Sequence, residues 1–247
     1  MIFTIKYIYI FLIFFLIKII VLYILFVFLI YMKSKMFDNI LAIGAHPDDL
    51  EMACFGSLLK FVDEGSNVDI LLSTYGGYKN NNQLISKRRN WKLIQNEIKI
   101  SEKIIGKKFK FLDNKILNLK INSKNIDYID SLIKKKKYDL VITHGPGDSH
   151  QDHQATYKIV KAACRKNVNS LWLMEIAQYA VNNTEFKPNV FVDITKTYKK
   201  KISAIKAYKS YIDKKKLNGI EGLATYRSMS VEKSKYAEAF QQEFMKY

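Results

Sequence analysis

Four short apolar runs, each of strand length and each followed by a helix-length stretch, constrain this chain more than any other feature. The runs are 39–44, 68–73, 108–112 and 139–143. Helical patterns follow at 50–64, stopped by Gly65, at 86–105, ended by Gly106, at 124–135 and at 154–165. Strands alternating with helices at this spacing predict an α/β, Rossmann-like three-layer fold with a mainly parallel sheet and helices on both faces. No internal repeat or low-complexity linker interrupts 36–247, so that span reads as one domain.

Residues 1–35 are a different segment. Ile2 to Met32 is almost entirely Ile, Leu, Phe, Tyr and Val. As a helix it would be about 46 Å long against a hydrocarbon core of about 30 Å. Two readings stay open: a membrane anchor spanning from about Tyr7 to Met32, with Lys18 as an interior charge, or a mis-assigned start ahead of Met32 or Met36. A cleavable signal peptide fits less well, because no small-residue cleavage site follows the run. Lys33 and Lys35 flank its end, which favours a cytoplasmic catalytic domain, membrane-anchored if the segment is real.

Composition narrows the class. Two cysteines, Cys54 and Cys164, exclude a disulfide scaffold or a Cys-rich zinc module and read as reduced thiols. The net charge is +17, and 36 bases against 23 acids remain in 36–247. Lysine runs at 134–137, 199–201 and 214–216 read as solvated faces. No finger spacing, RNP-type motif or basic zipper is present, so no nucleic-acid partner is expected.

The chemistry lies at two strand ends. Ala45-His46-Pro47-Asp48-Asp49-Leu50-Glu51 follows the first strand and opens a helix. His46 offers an imidazole nitrogen to a metal and Asp49 a carboxylate, while Asp48 is left over as a general base. The segment from His144 to His153 follows the strand at 139–143 and should reach the same sheet edge, where open α/β sheets bind ligands. His153 would complete a His/Asp/His set with an open fourth position, the arrangement of a catalytic zinc. All four histidines fall in these two segments. His144 reads as a loop residue, and Glu51 has no role beyond the helix start.

Ala-His-Pro-Asp-Asp-Leu-Glu at 45–51, followed by His-Gln-Asp-His at 150–153, resembles the PIG-L/LmbE-like family of zinc-dependent de-N-acetylases, bacterial-type branch. The tail from Arg227 through Tyr236-Ala237-Glu238-Ala239-Phe240 is similar to a C-terminal signature of bacterial members. The resemblance implies Zn2+, or another divalent metal, on His46, Asp49 and His153, with Asp48 as general base. It implies that His150 stabilises the oxyanion or assists the leaving amine. Asp152 would then orient a histidine through a hydrogen bond.

For substrate contacts the resemblance implies Asp113 on sugar hydroxyls and Arg88 or Arg89 on a carrier phosphate, with Arg227 a third candidate. The Arg and Glu usual on the second helix are spaced differently here, where Glu97 lies further from Arg88 and Arg89. The expected reaction is removal of the acetyl group from an N-acetylglucosamine-type sugar, carrier-linked or conjugated. The alternatives are a zinc hydrolase of another amide and a non-catalytic binding protein on the same fold.

Overall fold

The computed structural model describes residues 2–31, 35–76, 91–179, 186–209 and 211–246. The chain divides into two compact units, Met1–Met36 and Phe37–Tyr247. In the first, Ile2–Tyr31 form one helix, α1. Its side chains are described from Leu12 to Phe26, where they are exposed. Among the described residues no helix is long and apolar enough to cross a membrane. The anchor read from residues 1–35 therefore gains no support from the structure.

The second unit is built on seven strands: β1 (Asn39–Gly44), β2 (Asn67–Leu72), β3 (Phe109–Phe111), β4 (Leu140–Thr143), β5 (Ser170–Met174), β6 (Val190–Asp193) and β7 (Ala237–Met245). Their order is β3-β2-β1-β4-β5-β7-β6. The first five pair in parallel, and β7 runs antiparallel between β5 and β6. The expected mainly parallel, three-layer arrangement is what the chain adopts.

Strand side chains alternate between two cores, as a sheet buried on both faces requires. Ile40, Ala42, Ile70, Ile142 and Trp172 face one core with α3 (Phe55–Asp63) and α4 (Trp91–Ile105). Leu41, Ile43, Leu71, Val141 and Leu173 face the other with α5 (Ser123–Lys136) and α6 (Gln151–Asn167).

Two helix expectations shift. The segment read as one helix over 50–64 is two, α2 (Asp49–Ala53) and α3, broken at Cys54, whose φ is −140°. The helix expected from 154 begins at Gln151, because the His150 side chain caps it by accepting from the Asp152 amide at 3.2 Å. His153 therefore sits in the first turn of a helix rather than in a loop.

The chain reverses its lateral progress after β3: β2 and β3 lie to one side of β1, β4 and β5 to the other. The carboxyl ends of β1 and β4 thus form a topological switch point, where a crevice opens. Register makes the two ends coincide, with Ala42 opposite Ile142 and the Thr143 hydroxyl donating to Ile43 O at 3.1 Å. The two motifs leave the sheet side by side.

Candidate metal centre

The turn after β1 is held from below. Thr74 donates its hydroxyl to Ala45 O at 2.9 Å. Gly76, with φ +65°, lies so close to Pro47 that a Cβ there would stand 2.4 Å from the proline Cδ. The chain then passes through Asp48, a buried non-glycine residue at φ 102°, ψ −27°. Such a conformation costs about 1–3 kcal/mol and persists only where surrounding structure imposes it.

Asp49, at the start of α2, turns back into the turn. Its Oδ2 accepts from the amides of Ala45 at 3.0 Å and His46 at 2.7 Å. Across from it, His46 Nδ1 and His153 Nε2 stand 3.2 Å apart. His46 Nδ1 is 3.5 Å from Asp49 Oδ2, and His153 Nε2 is 3.4 Å from Asp49 Oδ1. Ligands about 2.0–2.1 Å from a tetrahedral ion lie roughly 3.3–3.4 Å from one another. The two ring nitrogens match that spacing, and each stands near it from a different oxygen of the Asp49 carboxylate.

The other nitrogen of each ring is engaged by a carboxylate. His46 Nε2 donates to Asp152 Oδ2 at 3.0 Å, and His153 Nδ1 donates to Asp148 Oδ2 at 2.7 Å. In the neutral rings the remaining nitrogens carry lone pairs, and both point at the Asp49 carboxylate. The two nitrogens, 3.2 Å apart, and the carboxylate, with one oxygen within 3.5 Å of each, are all buried and repel unless a cation or added protons sit between them. Electrostatics agree. Burial pushes His46 down, but hydrogen bonds to Asp152 and Asp49 outweigh it and raise it to about 9. Burial likewise opposes His153, which the charge of Asp49 and the bond to Asp148 raise to about 10. Burial pushes Asp49 up, and the facing histidines hold it well below the usual carboxylate range.

Among the described residues, two overlapping sets bring one ligand atom from each residue within 4.8 Å of one another: His46, His150 and His153, and Asp49, His144 and His153. His144 is the weaker donor, because its Nε2 already accepts the Ala45 amide at 2.9 Å. Burial and the nearby His153 push it down to about 4, so it stays neutral, stacked 4.0 Å from the His153 ring. This buried support was read from sequence as a loop position. His150 caps α6 through Nδ1, which leaves Nε2 as its free N–H. Burial, then His46 and His153, lower its pKa, so it is neutral near pH 7.

Asp148 was not singled out from sequence. It accepts from His153 and, through Oδ1, from the His150 amide at 2.8 Å. Its place five residues before His153, beside two glycines and a proline, was the only available signal. Glu51 is fully buried and accepts the Tyr208 hydroxyl at 2.6 Å. Burial raises it to about 7.

Among the expected substrate contacts, Asp113 lies just past β3 and accepts the Tyr75 hydroxyl at 3.2 Å. Arg227 is bound by Glu175 in a two-pronged pair, Nε to Oε2 at 2.9 Å and Nη2 to Oε1 at 2.6 Å. Arg88 and Arg89 lie outside the described residues.

Comparison with known proteins bears on the family and the fold. A family model described as PIG-L, GlcNAc-PI de-N-acetylase, matches residues 41–164. The uncharacterized deacetylase YaiS of Escherichia coli (strain K12) is 30% identical over 180 residues, covering 70% of this chain and 91% of that protein. The diacetylchitobiose deacetylase of Thermococcus kodakarensis is 27% identical over 185 residues, covering 70% of this chain and 69% of that protein. The solved N,N'-diacetylchitobiose deacetylase from Pyrococcus horikoshii shares the fold, with a TM-score of 0.70 over 85% of each chain at 19% identity. The matched span carries both motifs that meet at the β1/β4 edge, and the chain belongs to the PIG-L family of deacetylases.

Proposed function

We propose that this protein removes the acetyl group from an N-acetylglucosamine-type sugar, carrier-linked or conjugated, with Phe37–Tyr247 as the catalytic unit. The observation that carries the reading is the triangle of His46 Nδ1, Asp49 and His153 Nε2, with both rings oriented by carboxylates. These three residues would hold a divalent ion, zinc first, since two imidazoles and a carboxylate suit it without excluding its neighbours in the series. When bound, such an ion polarises the acetyl carbonyl and makes water a nucleophile at neutral pH.

The chain's own residues supply the remaining roles. Asp48, fixed in its strained turn, takes a proton from the attacking water. His150, neutral with its proton on Nε2, donates a hydrogen bond toward the developing oxyanion, and the proton taken up by Asp48 passes to the departing amine. Asp152 and Asp148 hold His46 and His153 in one tautomer. Asp113 would accept from sugar hydroxyls. An arginine reading a carrier phosphate is Arg88 or Arg89 in preference to Arg227, which Glu175 already neutralises. Buried, free Cys54 and Cys164 support a reducing, cytoplasmic site of action.

The test is acetate release from N-acetylglucosamine, its glycosides and diacetylchitobiose by protein loaded with zinc, iron or cobalt, against chelator-treated protein. Metal-dependent acetate release is expected. Carboxylate release from other N-acyl amines alone would redirect the activity to another amide. Metal binding without any turnover would make the chain a binding protein on this fold.

A further inference from the structure

Resting on the deacetylase reading, we infer that a cleft beside the metal centre is a subsite for an uncharged alkyl or aryl group carried by the acetamido sugar. The cleft has a volume of about 280 Å³. It lies between α8 (Lys214–Ser228) and the segment after β5. Its walls are mainly apolar, from Met52, Ile176, Ala177, Gly219, Ile220 and Leu223.

Residues lining this cleft adjoin residues of the reaction centre in the chain. Ala177–Tyr179 form one helical turn. Ala177 faces the cleft, while the Tyr179 ring stands edge-on to His150 and His153, with centroids 5.5 and 5.1 Å away. The Tyr179 hydroxyl is 3.0 Å from the Tyr211 hydroxyl, which also accepts from Gln178 of the cleft wall at 2.8 Å. On the other side, Met52 is three residues beyond Asp49 on the same short helix.

The occupant follows from the chemistry of the walls. A bare amino sugar is polar all round and gains nothing from aliphatic surface. The charged groups at the rim are already engaged: Glu175 binds Arg227, and Lys216 donates to Tyr211 O at 2.9 Å with its ammonium over the Tyr211 ring. An anionic group would find no open partner, whereas a hydrocarbon would displace water from apolar walls. Gly219 lines the cleft, and a Cβ there would meet no atom within 4 Å, so a larger side chain can be placed at that position without a backbone clash. A helix-interior glycine is otherwise unfavourable.

The experiment uses full-length, metal-loaded protein and methyl, butyl, hexyl and octyl β-glycosides of N-acetylglucosamine. Acetate release and calorimetric affinity are both read, so the subsite is tested even if turnover is absent. Burial of each methylene is worth about fourfold, and the hexyl to methyl ratio is expected to exceed tenfold in kcat/KM or in affinity. Gly219→Phe, which fills the cleft, should bring that ratio close to one. Ile220→Ala, which removes wall, should lower it severalfold and serves if the first variant does not fold. A flat response to chain length, or a slope that survives both substitutions, overturns the subsite. Acetate release from the methyl glycoside alongside a flat slope would leave the deacetylase reading standing without it. Chain-length-dependent binding without acetate release would do the reverse.

Discussion

His46 Nδ1 and His153 Nε2 face each other at 3.2 Å, while the far nitrogen of each ring is tied to an aspartate, Asp152 and Asp148 respectively. The two bonds fix which nitrogen of each ring carries the lone pair. The donor set is thereby aimed before any ion arrives, and the ordering entropy is met during folding rather than on binding.

Removing either orienting carboxylate should weaken the metal site without emptying it. Asp148→Asn and Asp152→Asn are each expected to lower metal affinity about 10–100-fold. His153→Ala, which deletes a ligand, should lose more. Competition with a chromophoric chelator measures all three. Wild-type affinity in Asp148→Asn would mean that the 2.7 Å bond does not set the ring.

Asp48 separates binding from turnover. Asp48→Asn keeps the side-chain volume and tolerates a left-handed backbone, so fold and metal content should persist. Turnover should fall by about 10²–10⁴-fold, the usual share of a general base. Asp48→Gly should lose turnover equally but gain about 1–2 kcal/mol in stability, since φ 102° costs glycine nothing. Near-wild-type rates in Asp48→Asn would reduce Asp48 to a helix cap.

Much of this site was legible because its parts are local. Asn39–Gly44 and the strand at 140–143 are continuous apolar runs, and each motif begins within a few residues of its strand. The parts that were missed depend on distant chain. The break at Cys54 cannot be read from 50–64 alone, because α3 is capped by Glu238 of β7, through the amides of Gly56 and Ser57 at 3.0 and 2.7 Å. Polar residues on β7 likewise concealed a strand. Asp148 was missed since nothing in its neighbours distinguishes a loop aspartate from one reaching a histidine ring.

Protons and metal compete for the same atoms, which gives a signed pH dependence. His46 and His153 are raised to about 9 and 10 in the folded, metal-free protein, against about 6.5 when unfolded. Raised histidine values stabilise the fold fully below about pH 6.5, and that contribution is lost as pH rises through 9–10. Metal-free protein should therefore lose stability on the alkaline side, and loaded protein should not. Near pH 7.5 metal uptake should release one to two protons, measurable by calorimetry in buffers of different ionisation enthalpy, and affinity should increase with pH. Zero proton release would mean that the rings are neutral before the metal binds.

The turn carrying Asp48 and Asp49 also depends on a buried ion pair far from it in sequence. Lys201 is 2% exposed and donates to Met52 O at 2.7 Å, at the end of α2, and to Glu238 Oε1 at 2.5 Å. Glu238 in turn receives the first amides of α3 and the Ser57 hydroxyl. One pair thus closes both ends of the helix break. Glu238→Leu would strand a buried ammonium with a single carbonyl partner and should cost about 3–5 kcal/mol. Lys201→Met should cost less, because the carboxylate keeps three donors and a helix N-terminus. Combining Lys201→Met with Glu238→Leu should recover part of the loss, as apolar replacements of buried pairs often do. Urea midpoints of the four proteins measure the coupling. Strictly additive losses would show that the two residues act separately and that the break at Cys54 is held by something else.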